Sequence, residues 1–201
     1  MARTFEFFFD YGSPFSYLAD TQLADLAART GARVVHRPML LGGVFKATGN
    51  RSPVAEPVEA KRRHMGVDMA RWVAHYGVPF RPNPHFPINT LAIMRRAHAA
   101  WRAGVFEAYH AAMFPALWAE GLDLGDEAVI DRVATRAGLD AGELAAGAAD
   151  PDVKDALRAT TDEAVERGVF GAPTFFVGEE MFFGNDRLHF VEAALARGGR
   201  G

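Results

Sequence analysis

The stretch Phe5-Glu6-Phe7-Phe8-Phe9-Asp10-Tyr11-Gly12-Ser13-Pro14-Phe15-Ser16 decides how the chain is read. Its first five residues are almost continuously aromatic, the composition of a strand buried on both faces in a central sheet. The strand breaks at Asp10-Tyr11-Gly12. Ser13-Pro14 then marks a helix start, a hydroxyl at or near the N-cap followed by proline at the first helical position. Ala19, Leu23, Leu26 and Ala27 continue with helical spacing, and Gly31 supplies a stop before a second strand over about residues 33–37, which Pro38 ends. These elements make a βαβ unit in a chain without a single cysteine.

Residues 39–160 carry almost no strand signal and read as a helical block. Met65, Met69, Trp72 and Tyr76 form a helical stripe, and further helices are expected over residues 91–103, 105–114, 126–137 and 140–149, with Asp140 and Glu143 spaced as a capping box. Pro79, Pro82, Pro84 and Pro87 punctuate one long connection. After a helix-compatible run through Arg167, strand signals return at 174–177 and 181–183, joined by Gly178-Glu179-Glu180. A last helix with Leu188, Val191 and Leu195 on one face precedes a glycine-rich tail over residues 197–201. The order predicts an α/β fold: a discontinuous thioredoxin-like βαβ…ββα sheet domain (1–40 and 160–201) interrupted by an all-helical domain (41–159).

With 201 residues, 49% of them hydrophobic and 23% charged, the chain can bury a substantial core. A net charge of −3 with scattered Lys and Arg argues against a nucleic-acid partner. No stretch approaches the roughly 20 apolar residues of a membrane span. The opening aromatic run, interrupted by Glu6, is too short and too acidic for a signal-peptide core. These readings, with zero Cys, predict a cytoplasmic protein without membrane partners. The seven histidines follow no metal-binding spacing, so no metal is expected. Gly42-Gly43 followed by Lys46 lacks phosphate-loop spacing, and Trp72, Trp101 and Trp118 read as core residues.

Asp10-Tyr11-Gly12-Ser13-Pro14-Phe15-Ser16-Tyr17-Leu18-Ala19, Leu41-Gly42-Gly43-Val44-Phe45-Lys46-Ala47-Thr48-Gly49-Asn50, Gly168-Val169-Phe170-Gly171-Ala172-Pro173-Thr174 and Phe183-Gly184-Asn185-Asp186-Arg187 together resemble the 2-hydroxychromene-2-carboxylate isomerase family. Its relatives are the kappa-class glutathione transferases and the DsbA-like proteins. The resemblance covers essentially the whole chain, with its motifs in order. It implies glutathione as cofactor and a small aromatic enone as substrate, an o-hydroxybenzylidenepyruvate isomerised about its double bond by reversible thiolate addition. The Ser13-Pro14-Phe15-Ser16 turn stands where thioredoxin-type chains carry Cys-x-x-Cys, so the sulfur is implied to arrive on the ligand.

The resemblance assigns Ser13 as the donor that stabilises the thiolate, besides its structural role as a cap. It implies a cis Ala172-Pro173 bond whose Ala172 main chain pairs with glutathione. Phe183, Gly184, Asn185 and Asp186 are implied to meet the γ-glutamyl end, and Lys61 and Asn50 to contact glutathione. Lys46, Asn50 and Phe86 fall at the substrate site, Lys46 as the cation for a pyruvate carboxylate or enolate. Asp186 alternatively reads as the N-cap of the last helix, and Lys46 and Lys61 as solvated lysines. Where isomerases of the family carry an Asn-Arg pair, this chain has Ala55-Glu56, a loss of positive charge. Kappa-like transferase activity and a non-catalytic module binding a peptide or glutathione are the competing functions. A homodimer is common in the family.

Overall fold

The computed structural model describes residues 3–197; residues 1–2 and 198–201, including most of the glycine-rich tail, lie outside the described residues. Strand β1 (Thr4–Phe9) pairs in parallel with β2 (Arg33–Pro38) and antiparallel with β3 (Thr174–Val177), which pairs antiparallel with β4 (Glu180–Phe183). The strand order is β2-β1-β3-β4, which places the aromatic strand inside the sheet.

Alternation divides β1 between two cores. Phe5, Phe7 and Phe9 face the larger one, with Phe7 stacked on Phe9 and Phe175 at ring distances of 5.0 and 5.3 Å. Phe8 faces a smaller core with Met39, Val44, Val169 and Phe176. Glu6, the polar interruption in the run, lies between Val35 and Phe176 of the flanking strands, and Arg167 and Arg37 approach its carboxylate at 2.9 and 3.5 Å. The same two guanidinium groups lie over the Phe8 ring, so this charge cluster also covers apolar surface.

Helix α1 (Pro14–Thr30) ends at Gly31 with φ +65°, a conformation that favours glycine. The intervening helices are α2 (Leu41–Thr48), α3 (Glu59–Tyr76), α4 (Leu91–Arg102), α5 (Phe106–Trp118), α6 (Glu127–Arg136), α7 (Ala141–Ala149) and α8 (Pro151–Glu166). Helix α9 (Leu188–Arg197) packs back on α1 and the sheet. Asp140 caps α7 by accepting the Glu143 N–H at 2.9 Å. No helix among the described residues is long and apolar enough to cross a membrane.

The Gly42-Gly43 segment is helical, as the helical block requires, with Leu41 and Val44 packed into the smaller core despite the poor helix propensity of glycine. Two local expectations need correction. Trp101 is 47% exposed on the surface, resting against Phe106 at 4.6 Å, whereas Trp118 is buried. Asp186 does not cap α9; it lies in a short 3-10 turn, Asn185–Arg187, that precedes the helix and pairs with Arg187.

Phe7→Ala removes the ring between Phe9 and Phe175 and leaves a cavity at the centre of the sheet. We expect a loss of about 3–5 kcal/mol in unfolding free energy, measured by chemical denaturation.

Candidate functional site

The turn joining β1 to α1 is held by the Asp10 carboxylate, which is 1% exposed. Its Oδ1 accepts the Gly12 N–H at 2.9 Å, and its Oδ2 accepts the Leu41 N–H at 2.8 Å and the Thr90 hydroxyl at 2.9 Å. Burial pushes this carboxyl above its ordinary range, while the three hydrogen bonds pull in the opposite direction. Tyr11 is fixed just as firmly: its carbonyl accepts the Trp118 indole N–H at 2.7 Å, and its hydroxyl meets His110 Nδ1 at 3.0 Å. At Gly12 a Cβ would stand 2.7 Å from the Thr90 methyl, so a larger residue would push Thr90 off Asp10.

Ser13 is the N-cap of α1, as the sequence predicts. Its Oγ accepts the Ser16 N–H at 3.1 Å and donates to the Ala172 carbonyl at 3.0 Å. Pro14 has no N–H to offer. The first-turn donor that remains is the Phe15 N–H, which has no protein acceptor among the described residues. Opposite it, the Ala172-Pro173 bond is cis. The loop is closed by the Thr174 hydroxyl donating to Gly171 O at 2.8 Å and by the Gly184 N–H donating to Pro173 O at 2.9 Å. Ala172 N–H likewise has no protein acceptor among the described residues. Gly171 fits closely under Phe183, whose ring edge would lie 2.8 Å from a Cβ.

Between the two loops lies a cavity of about 520 Å³. This is within the ordinary range for small-molecule sites, roughly 300–1,000 Å³. Its floor includes Ser13, Phe15 and Ala172, and its walls include Phe45, Met65, Met69, Phe86 and Phe170. Asn50 borders it and ties the end of α2 to the opposing loop, donating from Nδ2 to Phe170 O at 2.8 Å.

Of the residues singled out in the sequence, Ser13, Asn50, Phe86, Ala172 and Phe183 line this cavity, with Pro173 buried directly behind Ala172. Lys46 and Lys61 do not. Lys46 is exposed on α2, and Lys61 is exposed on α3, with its ammonium 3.7 Å from Glu56. Gly184, Asn185 and Asp186 also lie outside its lining; Asn185 and Asp186 border a separate cavity of about 260 Å³ beside Trp72, Tyr76 and His189. Asn185 is buried there, its carbonyl accepting the Tyr76 hydroxyl at 3.0 Å while its Nδ2 has no partner.

Asp10 and Thr90 escaped the sequence reading because neither spacing nor composition marks a buried carboxylate bridging distant segments. Met65 and Met69 were visible as a helical stripe but read as packing. Glu56 of the Ala55-Glu56 pair does line the cavity, and so does Arg51, which forms no ion pair among the described residues.

Comparison with known proteins agrees with this architecture. Residues 4–196 match the DSBA-like thioredoxin domain. The chain is 38% identical to 2-hydroxychromene-2-carboxylate isomerase of Sphingobium xenophagum, over 97% of this chain and 99% of that one. It is 27% identical to glutathione S-transferase kappa 1 of Homo sapiens, over 97% of this chain and 92% of that one. A solved structure of a 2-hydroxychromene-2-carboxylate isomerase superposes with a TM-score of 0.86 at 31% identity, covering 98% of this chain and 96% of that one.

Asp10→Asn retains the side-chain volume but points an amide N–H₂ at donors that now bind a carboxylate oxygen. We expect a loss of about 1–3 kcal/mol, read as a lower denaturation midpoint with an unchanged slope.

Proposed function

The chain belongs to the 2-hydroxychromene-2-carboxylate isomerase family of DsbA-like thioredoxin-domain proteins, and from that premise we propose that it is a glutathione-dependent isomerase of aromatic enones. The observation that carries this reading is the Ser13 turn. A capped helix N-terminus with an unengaged Phe15 N–H faces the unengaged Ala172 N–H across a cavity, in a protein with no thiol of its own. Two amide donors and a positive helix end suit an anionic sulfur beside a peptide group.

Glutathione, when bound, supplies a thiolate that adds reversibly to a conjugated double bond and frees it to rotate. The chain's own residues then have distinct tasks. The Phe15 N–H and the helix dipole favour the ionised sulfur. The Ser13 hydroxyl, which donates to Ala172 O in the free protein, turns its proton to the sulfur because an anion is the stronger acceptor. Ala172 N–H, backed by Pro173, pairs with the ligand's peptide in the manner of an added strand. Asn50 and Phe183 border the rest of the tripeptide from the cavity lining, while Lys61 and Gly184, outside that lining, are assigned to its margin. Asn185 and Asp186 receive its γ-glutamyl end, which therefore extends past Phe183 toward the second cavity.

For the substrate, the apolar walls at Phe45, Met65, Met69 and Phe86 suit an aromatic ring. A carboxylate on it is best served by Arg51, the cation in the lining, with exposed Lys46 as the alternative. The proposal retains a cytoplasmic site of action, a homodimer and the division into a sheet domain (1–40, 160–201) and a helical domain (41–159). The backbone is continuous across the second of those boundaries, since α8 runs through it.

A kappa-like transferase is the second reading, favoured by the 27% identity to the human enzyme. The two differ in mass balance. An isomerase turns over benzylidenepyruvates with glutathione conserved, and accumulation of a stable conjugate with stoichiometric loss of glutathione selects the transferase. Ser13→Ala should lower glutathione-dependent turnover roughly ten- to a hundredfold, the range of one hydrogen bond to a charged group. It should also raise the pKa of bound glutathione, followed by thiolate ultraviolet absorption. An unchanged thiol titration removes Ser13 from that role.

A further inference from the structure

Behind the turn, the Tyr11 hydroxyl leads to a polar cluster that the isomerase chemistry does not use. Asp20 on α1, His36 on β2 and His110 on α5 bring potential ligand atoms within 4.8 Å of one another. His110 Nε2 stands 2.8 Å from Asp20 Oδ1, and His36 Nε2 stands 4.0 Å from the same oxygen. The two imidazole centroids are 4.6 Å apart. The His36 imidazole makes no hydrogen bond among the described residues, although the side chain is only 14% exposed. Strand β2 is a sheet edge, and Asp20 at 22% side-chain exposure leaves the cluster a path to water.

We propose that Asp20, His36 and His110 bind one divalent transition-metal ion of the zinc class, with a remaining coordination position open to water. Two imidazoles and one carboxylate are the donor set of open zinc sites and of related first-row ions, whereas calcium and magnesium take oxygen ligands. In a tetrahedral site with ligands about 2.0–2.1 Å from the ion, donor atoms lie roughly 3.3 Å apart. The separations of 2.8 and 4.0 Å straddle that value and all the donor atoms lie within 4.8 Å of one another, so side-chain rotation is what closing on an ion requires.

The surroundings favour the same reading. The 2.8 Å contact between His110 Nε2 and Asp20 Oδ1 is a hydrogen bond whose proton an ion would replace. The Tyr11 hydroxyl on His110 Nδ1 acts as the outer-shell partner that orients a metal-binding imidazole. Phe106 packs against both rings, at 5.2 Å from His110 and 5.3 Å from His36, which fixes their planes. The ligands come from three elements far apart in the chain, which is why the histidine spacing does not announce them. Tyr11 also belongs to the turn that carries Ser13, so an ion here would stiffen the support of that turn.

The test uses the full chain, free of any affinity tag and stripped with a chelator. Titration with Zn²⁺ by calorimetry and with Co²⁺ by visible absorption should give one ion per chain, an intense low-coordinate Co²⁺ spectrum and a rise in Tm. His36→Gln and Asp20→Asn, each verified as folded by circular dichroism without metal, should bind at least tenfold more weakly and lose the Tm shift. His75→Gln, on an exposed helix position, should bind as the parent does. No saturable uptake by the parent, or uptake unchanged in both ligand variants, overturns the site; the latter result assigns binding to exposed histidines such as His64, His85 and His189.

Discussion

A buried carboxylate holds the candidate site together. Asp10 gives up nearly all its water and receives instead a donor from its own turn, one from the start of α2 and one from the residue before α4. Those three segments are otherwise separate pieces of backbone, and each supplies part of the junction between the sheet and the helices. Burying an isolated anion is strongly unfavourable, and the upward push on its pKa records that cost. The three donors offset it, and each can do so only while all three segments stay in place. The geometry of the Ser13 turn is therefore set by the fold and does not wait for a ligand to impose it.

On that support, Ser13 joins two functions that are usually considered separately. Its oxygen caps α1 while its proton reaches across to Ala172, so the helix start and the cis-proline loop are latched by a single hydroxyl. A hydroxyl has one proton to give. An anion between the loops would compete with the Ala172 carbonyl for it, whereas the Phe15 and Ala172 amides have no protein acceptor among the described residues. The chain thus offers two preorganised donors and one exchangeable donor, a division that sequence alone could not reveal.

Much of the fold was legible because it rests on local chemistry. The aromatic run, Ser13-Pro14, Gly31 and the two short strands before α9 each identify an element through composition, capping or turn residues. Helix α2 falls inside the helical block that the sequence predicts, but its paired glycines are poor helix formers and give no propensity signal for its bounds. Trp101 shows the opposite limit: an apolar side chain on a helix need not face the core. At the site, Ser13 and Ala172-Pro173 could be read because backbone constraints tie them to particular residue types. Asp10 with Thr90, and Asp20 with His36 and His110, are bonds between distant segments; no periodicity encodes them.

The cavity joins two kinds of wall, and this asymmetry bears on specificity. One side is built from the β1–α1 turn and the cis-proline loop, which Asp10 and the Ser13 hydroxyl hold. Its other side is made by residues 50–57 and by α3, a helix without a fully buried residue. None of those residues bonds to Asp10, so this wall can vary in sequence while the Asp10 support is kept. The charge pattern follows the same division. Glu56 brings a negative group to the lining, but Lys61 stands against it and the Val58 N–H donates to it, so its charge is largely answered within the protein. Arg51 has no such partner among the described residues. The charge left for a ligand to meet on this wall is therefore positive, although the Ala55-Glu56 stretch itself contributes a carboxylate.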